Sequence, residues 1–196
     1  MENSYTSFEP VLSYESVKAH YEGIYKTMRG KYTLNLKSCG INTPEYPPRF
    51  YKKTDRELKR DLYYYGFAVY AHEMFFNSLT EFSSGYTCPK ERFGSKIREN
   101  WSSYDSFLYD FTETALKMRG PGFVWAALDC SGGRLLILSN SGYEAFDIKR
   151  YIPLFCIDMF EHSYYIDYYC DREKYLKNCL RIINYARAEK LLENIS

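Results

Sequence analysis

The sequence predicts an α+β chain, with an N-terminal antiparallel helical hairpin followed by a C-terminal α/β lobe on a three-stranded antiparallel sheet. Three observations point there. Two long segments in the first half carry apolar residues at helical spacing. Three β-rich runs, "GFVWAALD", "RLLILSN" and "YIPLFCID", crowd into the second half. Between the halves lies "SSGYTCPKERFG", a breaker-rich link that sets domains at 1–84 and 85–196.

Taken in order, Ser13 is placed to cap a first helix, with Glu15 favouring the positive end of its dipole. Val17, His20, Ile24 and Met28 then share one stripe, flanked by Tyr21 and Tyr25. "KSCGINTPEYPPRF" ends the helix with Gly40, Pro44, Pro47 and Pro48. Thr54 and Glu57 form a capping box for a second helix. Its stripe, Leu58, Leu62, Tyr65, Val69, His72, Phe76 and Leu79, has the alternating spacing of a helix packed on a partner. His20 and His72 therefore both face inward. Past the link, Ser102 or Ser103 caps a helix through "YDSFLYDFTETALKM", closed by Gly120. "CSGG" joins the first two strands as a hairpin. The tail from Asp171 to Asn194 is predicted helical, with Tyr175, Leu176, Leu180, Ile183 and Leu191 toward the core.

The chain has 196 residues, 45% hydrophobic and 26% charged, as in average globular proteins. A net charge of +1 leaves no broad basic face for nucleic acid. No apolar run approaches the length of a membrane span. "MENSYTSFEP" lacks the positive and apolar regions of an export signal, and its acids without Arg argue against a mitochondrial presequence, so a cytoplasmic protein is expected. None of the six cysteines forms a C-x-x-C pair, and they read as free thiols acting as small buried hydrophobes. Tyrosine is abundant at 22 and histidine scarce at three, which gives each imidazole weight.

The third strand runs into "CIDMFEHSYYIDYY", which sets Asp158 and His162 four residues apart beside Glu161 and four tyrosines. Taken singly, His20 and His72 read as satisfied core residues, and Asp158 and His162 as a strand-end cap and a surface ring. Together, His20, His72, Asp158 and His162 are the donor types that a redox-active Mn or Fe ion uses, and the lack of thiolate argues against structural zinc.

"DMFEHSYYIDY" resembles the D-x-W-E-H-A-Y-Y-x-D-Y signature of the iron/manganese superoxide dismutases. Further segments are similar in the same order: "LSYESVKAHYEG", "AHEMFFNSL", "WSSYDSFLYDFTETALKMRGPGFVWAALD" and "YLKNCLRIINYARAEKLL". The resemblance runs from about Pro10 to the C-terminus and implies the family's metal ligands at His20, His72, Asp158 and His162. It implies one Mn or Fe ion per subunit. One superoxide gives up an electron and leaves as dioxygen; a second takes it, collects two protons and leaves as hydrogen peroxide. The catalytic set implied is Asp158, which binds the metal and accepts a hydrogen bond from its water, with Glu161 and Tyr165. Glu161 would reach His162 of a second subunit and Tyr165 would lie at the same interface, in a homodimer or tetramer. The aromatics of this stretch would wall the site.

The chain departs from the family where protons move. The gate His and Tyr, four and eight residues past the first ligand, are Ile24 and Met28, neither able to relay a proton. The outer-sphere Gln is missing: the chain has no glutamine, Ala68 stands at one of its two positions, and Gly142 or Tyr143 at the other. Family tryptophans become Tyr70, Phe76, Phe123 and Phe160, with Trp125 retained. The expected function is superoxide dismutation with reduced activity. The alternatives are a dismutase-like scaffold with weak or no catalysis, serving interaction or assembly, and a metal enzyme with other oxygen chemistry, which usually uses two His and one carboxylate.

Overall fold

A computed structural model describes residues 8–42, 56–82, 89 and 91–195. The capping Thr54, the prolines at 44, 47 and 48, and the 84/85 boundary lie outside the described residues.

Ser13 caps α1 (Tyr14–Lys18), its hydroxyl accepting the Ser16 N–H at 3.1 Å. The helix then widens into a π-helical turn, Ala19–Tyr25, before continuing as α2 (Lys26–Ser38). At the junction the Lys26 N–H reaches back to the Tyr21 carbonyl. This turn corrects the expected stripe. Val17 and His20 are buried, but beyond them the buried residues are Tyr25, Tyr32 and Leu36, while Ile24 and Met28 are only half-buried. One extra residue in a π turn rotates everything after it by about 100°.

The long helix α3 (Arg56–Ser78) lies antiparallel to α2: Tyr25 bonds Glu73, while Lys31, further along, sits over the Tyr65 ring. Tyr25, Tyr32, Leu36, Leu62 and Val69 fill the space between them. The second face of α3 was not anticipated. Phe67, Ala71, Met74 and Phe75 are also buried, within a larger core shared with the sheet.

In the second half, α4 (Arg92–Trp101) begins inside the stretch read as link and runs on through residues 95–101, which the sequence reading left unassigned. It is followed by α5 (Tyr104–Leu116), capped by Ser103. Three antiparallel strands, β1 (Gly122–Asp129), β2 (Arg134–Ser141) and β3 (Tyr151–Asp158), take the order β2-β1-β3. The central β1 is buried almost throughout. Pro153 is tolerated because β3 is an edge strand with a register shift at that point. A short 3-10 turn, Glu161–Ser163, leads to α6 (Tyr165–Tyr168).

The tail is two helices rather than one, α7 (Arg172–Leu180) and α8 (Tyr185–Glu193). Between them Ile182–Asn184 docks on the end of α3: Thr80 N–H bonds the Ile182 carbonyl and Asn184 N–H the Ser78 carbonyl, each at 2.8 Å. Asn184 then caps α8. The cysteines also divide: Cys156 and Cys179 are buried as expected, whereas Cys130 and Cys170 are exposed.

Candidate metal centre

Four elements converge at one point. The π turn carries His20, α3 carries His72, the end of β3 carries Asp158, and the 3-10 turn carries His162. One donor atom from each lies within 4.8 Å of all the others. His20, His72 and Asp158 are buried, and His162 is 20% exposed.

Asp158 is held on every side but one. Its Oδ1 accepts the Phe160 N–H at 2.8 Å and its carbonyl accepts the Tyr175 hydroxyl at 2.7 Å. The next residue, Met159, donates its N–H to the Gly122 carbonyl. That leaves Oδ2 toward the imidazoles, 3.3 Å from the Nε2 atoms of His20 and His162 and 3.9 Å from that of His72. His72 Nδ1 lies 2.6 Å from the Ala68 carbonyl, which can only accept, so Nδ1 carries the proton and Nε2 presents a lone pair. The Nε2 atoms of His20 and His72 are buried with no hydrogen-bond partner. For His20 the 3.3 Å separation from Asp158 is short enough for a hydrogen bond, but the ring nitrogen is not aligned for one.

The electrostatics put His20, His72 and Asp158 in their ligating states. Burial holds the His20 imidazole below its ordinary range, against the pull of Asp158. Burial, reinforced by His20, lowers His72 to about 3. Burial alone would raise the Asp158 carboxyl, but His162, by charge and hydrogen bond, and then His20 outweigh it and keep it below the usual carboxylate range. Neutral imidazole and ionised carboxylate are the forms that bind metal. Two orphaned imidazole nitrogens aimed at a carboxylate oxygen therefore fit a single Mn or Fe ion, which has the affinity for this nitrogen and oxygen set.

Aromatic rings close around the cluster. His20 packs on Phe75 and Phe76, His72 on Phe123 and Tyr143, and His162 on Phe160 at 5.0 Å. These rings, rather than the tyrosines of "SYYIDYY", form the wall, which corrects the sequence expectation. Tyr164 and Tyr168 are buried against Tyr175 instead, and Tyr165 and Tyr169 point outward, 58% and 70% exposed. Glu161 is exposed as well. Neither Glu161 nor Tyr165 joins the four-donor cluster.

Sequence reasoning missed what the π turn does to Tyr25. The turn swings this residue inward until its ring is 6.3 Å from that of His72. Its hydroxyl donates to Glu73 at 2.8 Å, and burial, followed by the Glu73 carboxylate, raises the phenol above its ordinary range. In the sequence Tyr25 reads only as flanking the stripe that carries His20.

A sequence profile described as "Iron/manganese superoxide dismutases, C-terminal domain" matches residues 89–191. Among similar proteins, "Superoxide dismutase [Mn], mitochondrial" of Capsicum annuum is 28% identical over 96% of this chain and 82% of its own length. "Superoxide dismutase [Fe]" of Aquifex pyrophilus is 29% identical over 89% of this chain and 81% of its own. "Superoxide dismutase [Fe] 3, chloroplastic" of Arabidopsis thaliana is 31% identical over 89% of this chain and 66% of its own.

Proposed function

Because the chain belongs to the iron/manganese superoxide dismutase family, we propose that it converts superoxide to dioxygen and hydrogen peroxide at one Mn or Fe ion held by His20, His72, Asp158 and His162. One observation carries this reading: two buried imidazole nitrogens without a hydrogen-bond partner, aimed at a buried carboxylate oxygen. Leaving such groups unmatched costs about 1–3 kcal/mol each, so the arrangement makes sense as a cation site. The bound ion supplies a one-electron couple and Lewis acidity.

The remaining work falls to the chain. The Ala68 carbonyl fixes the His72 tautomer, and the Phe160 N–H leaves one Asp158 oxygen free to bind. Phe75, Phe76, Phe123 and Phe160 keep bulk water from the donors. Tyr25 holds a proton at its hydroxyl oxygen, shared with the Glu73 carboxylate, in a region where Ile24 and Met28 can hold none. Glu161 of one protomer bonds His162 of its partner in a homodimer. The exposed Glu161 and the outward apolar group Tyr165, Ile166 and Tyr169 support that contact.

The test is metal analysis with a superoxide-decay assay on protein loaded separately with Mn and Fe. About one ion per chain with faster decay than the metal-free protein is expected. A protein that takes up neither ion would instead be the scaffold.

A further inference from the structure

Away from the four donors, α5 and α7 lie side by side and run in opposite directions. Tyr104, at the start of α5, bonds Tyr185 shortly past α7 through their hydroxyls at 2.5 Å. Arg172, at the start of α7, reaches the Met118 carbonyl past the end of α5 at 3.4 Å. A groove of about 400 Å³ lies between the two helices. Its apolar surface comes from Leu108 and Leu116, half-buried on α5, and from Leu180, buried on α7. Leu108, Thr112 and Leu116 recur at every fourth residue and so follow the groove along one face of α5. Tyr109 stands at one rim, 65% exposed.

The charges along the groove are unevenly matched. Glu113 is paired with Lys117 on its own helix at 3.1 Å, and Glu173 with Lys177 at 2.5 Å. Arg181 has no such partner: its guanidinium lies over the Phe82 ring at 5.0 Å and forms no ion pair with a described residue. Because the helices are antiparallel, Arg181 sits toward the Leu108 end and the paired carboxylates toward the Leu116 end. An apolar floor with one unneutralised cation at its end has the make-up of small-molecule sites, mostly apolar with a few placed polar groups. Leu108 and Leu116 are separated by about 12 Å along the helix. An extended chain advances by about 1.2 Å per bond, so about ten carbons span the floor.

We propose that the groove between α5 and α7 binds a free linear carboxylate of about ten carbons, its head on Arg181 and its chain along Leu108, Thr112, Leu116 and Leu180. The guanidinium offers a planar fork of donors that matches a carboxylate, and covering the three leucines supplies the apolar driving force. None of the four metal donors lines the groove, so the site stands apart from the metal reading.

The test titrates decanoate, kept below its micelle concentration, into the full chain by calorimetry. The unmodified protein is compared with Arg181→Gln and Thr112→Phe, after circular dichroism has established that all three are folded. Decyltrimethylammonium, a chain of the same length with the opposite charge, is titrated alongside. One decanoate per chain is expected, bound about tenfold more weakly by Arg181→Gln, the loss of one charge-assisted contact. Thr112→Phe lays a ring across the floor and should weaken binding by at least as much. Decyltrimethylammonium should bind at least about tenfold more weakly than decanoate. An unmodified protein that binds no decanoate overturns the proposal. Undiminished binding in Arg181→Gln overturns it too, as does equal binding of the cationic chain, since either marks an apolar face with no seat for a carboxylate. Undiminished binding in Thr112→Phe puts the ligand outside this groove and is equally fatal.

Discussion

Gly122→Ala joins the end of the sheet to the metal centre in one perturbation. Gly122 pairs with Ser141 across the hairpin, and its carbonyl receives the Met159 N–H beside Asp158. An added Cβ would lie 2.0 Å from the Asn140 carbonyl oxygen and 2.8 Å from Met118 Cε. Both distances are far inside the ~3.5–4.0 Å at which carbon atoms attract. The methionine methyl can move aside. The carbonyl cannot move alone, since it belongs to β2 and the Asn140 side chain is bonded to Trp125. Relief therefore prises β1 from β2 where Phe123 faces Asn140. Overpacking costs about 1–3 kcal/mol and a lost ladder bond about 0.5–1.5, together about 2–4 kcal/mol. For a chain of this size that lowers Tm by ~5–15 °C. Gly120, two residues earlier, has nothing within 4 Å of its Cβ position, so Gly120→Ala is the matched control. Thermal unfolding of both variants by circular dichroism, with metal content alongside, reads the difference. Gly122→Ala should melt well below Gly120→Ala and hold less metal, because Met159 drags Asp158 with it. Matching melting temperatures would refute this account of the strand contact.

Three further outcomes are expected. Tyr25→Phe should keep its metal and slow superoxide decay, by up to the ~10²–10⁴-fold that a positioned acid typically contributes; undiminished decay would show that Tyr25 delivers no proton. The metal-free protein should lose stability as pH falls below 6.5 toward about 3, because His72 stays neutral when folded while an unfolded histidine takes up a proton. Asp158, held low in the fold, acts in the same direction below its ordinary 3.8, and denaturant midpoints that stay level on acidification would contradict both. Light scattering at micromolar concentration should find a dimer that Glu161→Ala weakens together with metal retention; a monomeric unmodified protein would sink the shared-contact reading.

Much of this was legible in the chain itself. The four donors, the three strands and the Ser13 and Ser103 caps are local or motif-borne signals, and the structure has them where the sequence put them. What escaped depends on distant partners. Helix α4 lacks a side-chain cap of its own; the Glu189 carboxylate, 96 residues on, takes the Phe93 N–H at 3.0 and 3.1 Å. The break in the tail exists because residues 182–184 dock on α3, although Asn184 was a readable cap. The π turn leaves no periodic trace in so short a segment, so Ile24 was read as facing the site when Tyr25 is the residue that does.

Burial of α3 on two faces bears on how fast an ion can come and go. His72 sits mid-helix at 0% exposure, between the packing against α2 and the packing against the sheet. Backbone opening there needs both interfaces to part, which puts α3 at the slow end of the chain's local openings. The half-sheltered ring is His162, on a short turn at the surface. Exchange of a bound ion would thus run through the exposed turn that carries His162 rather than through the helix beneath it.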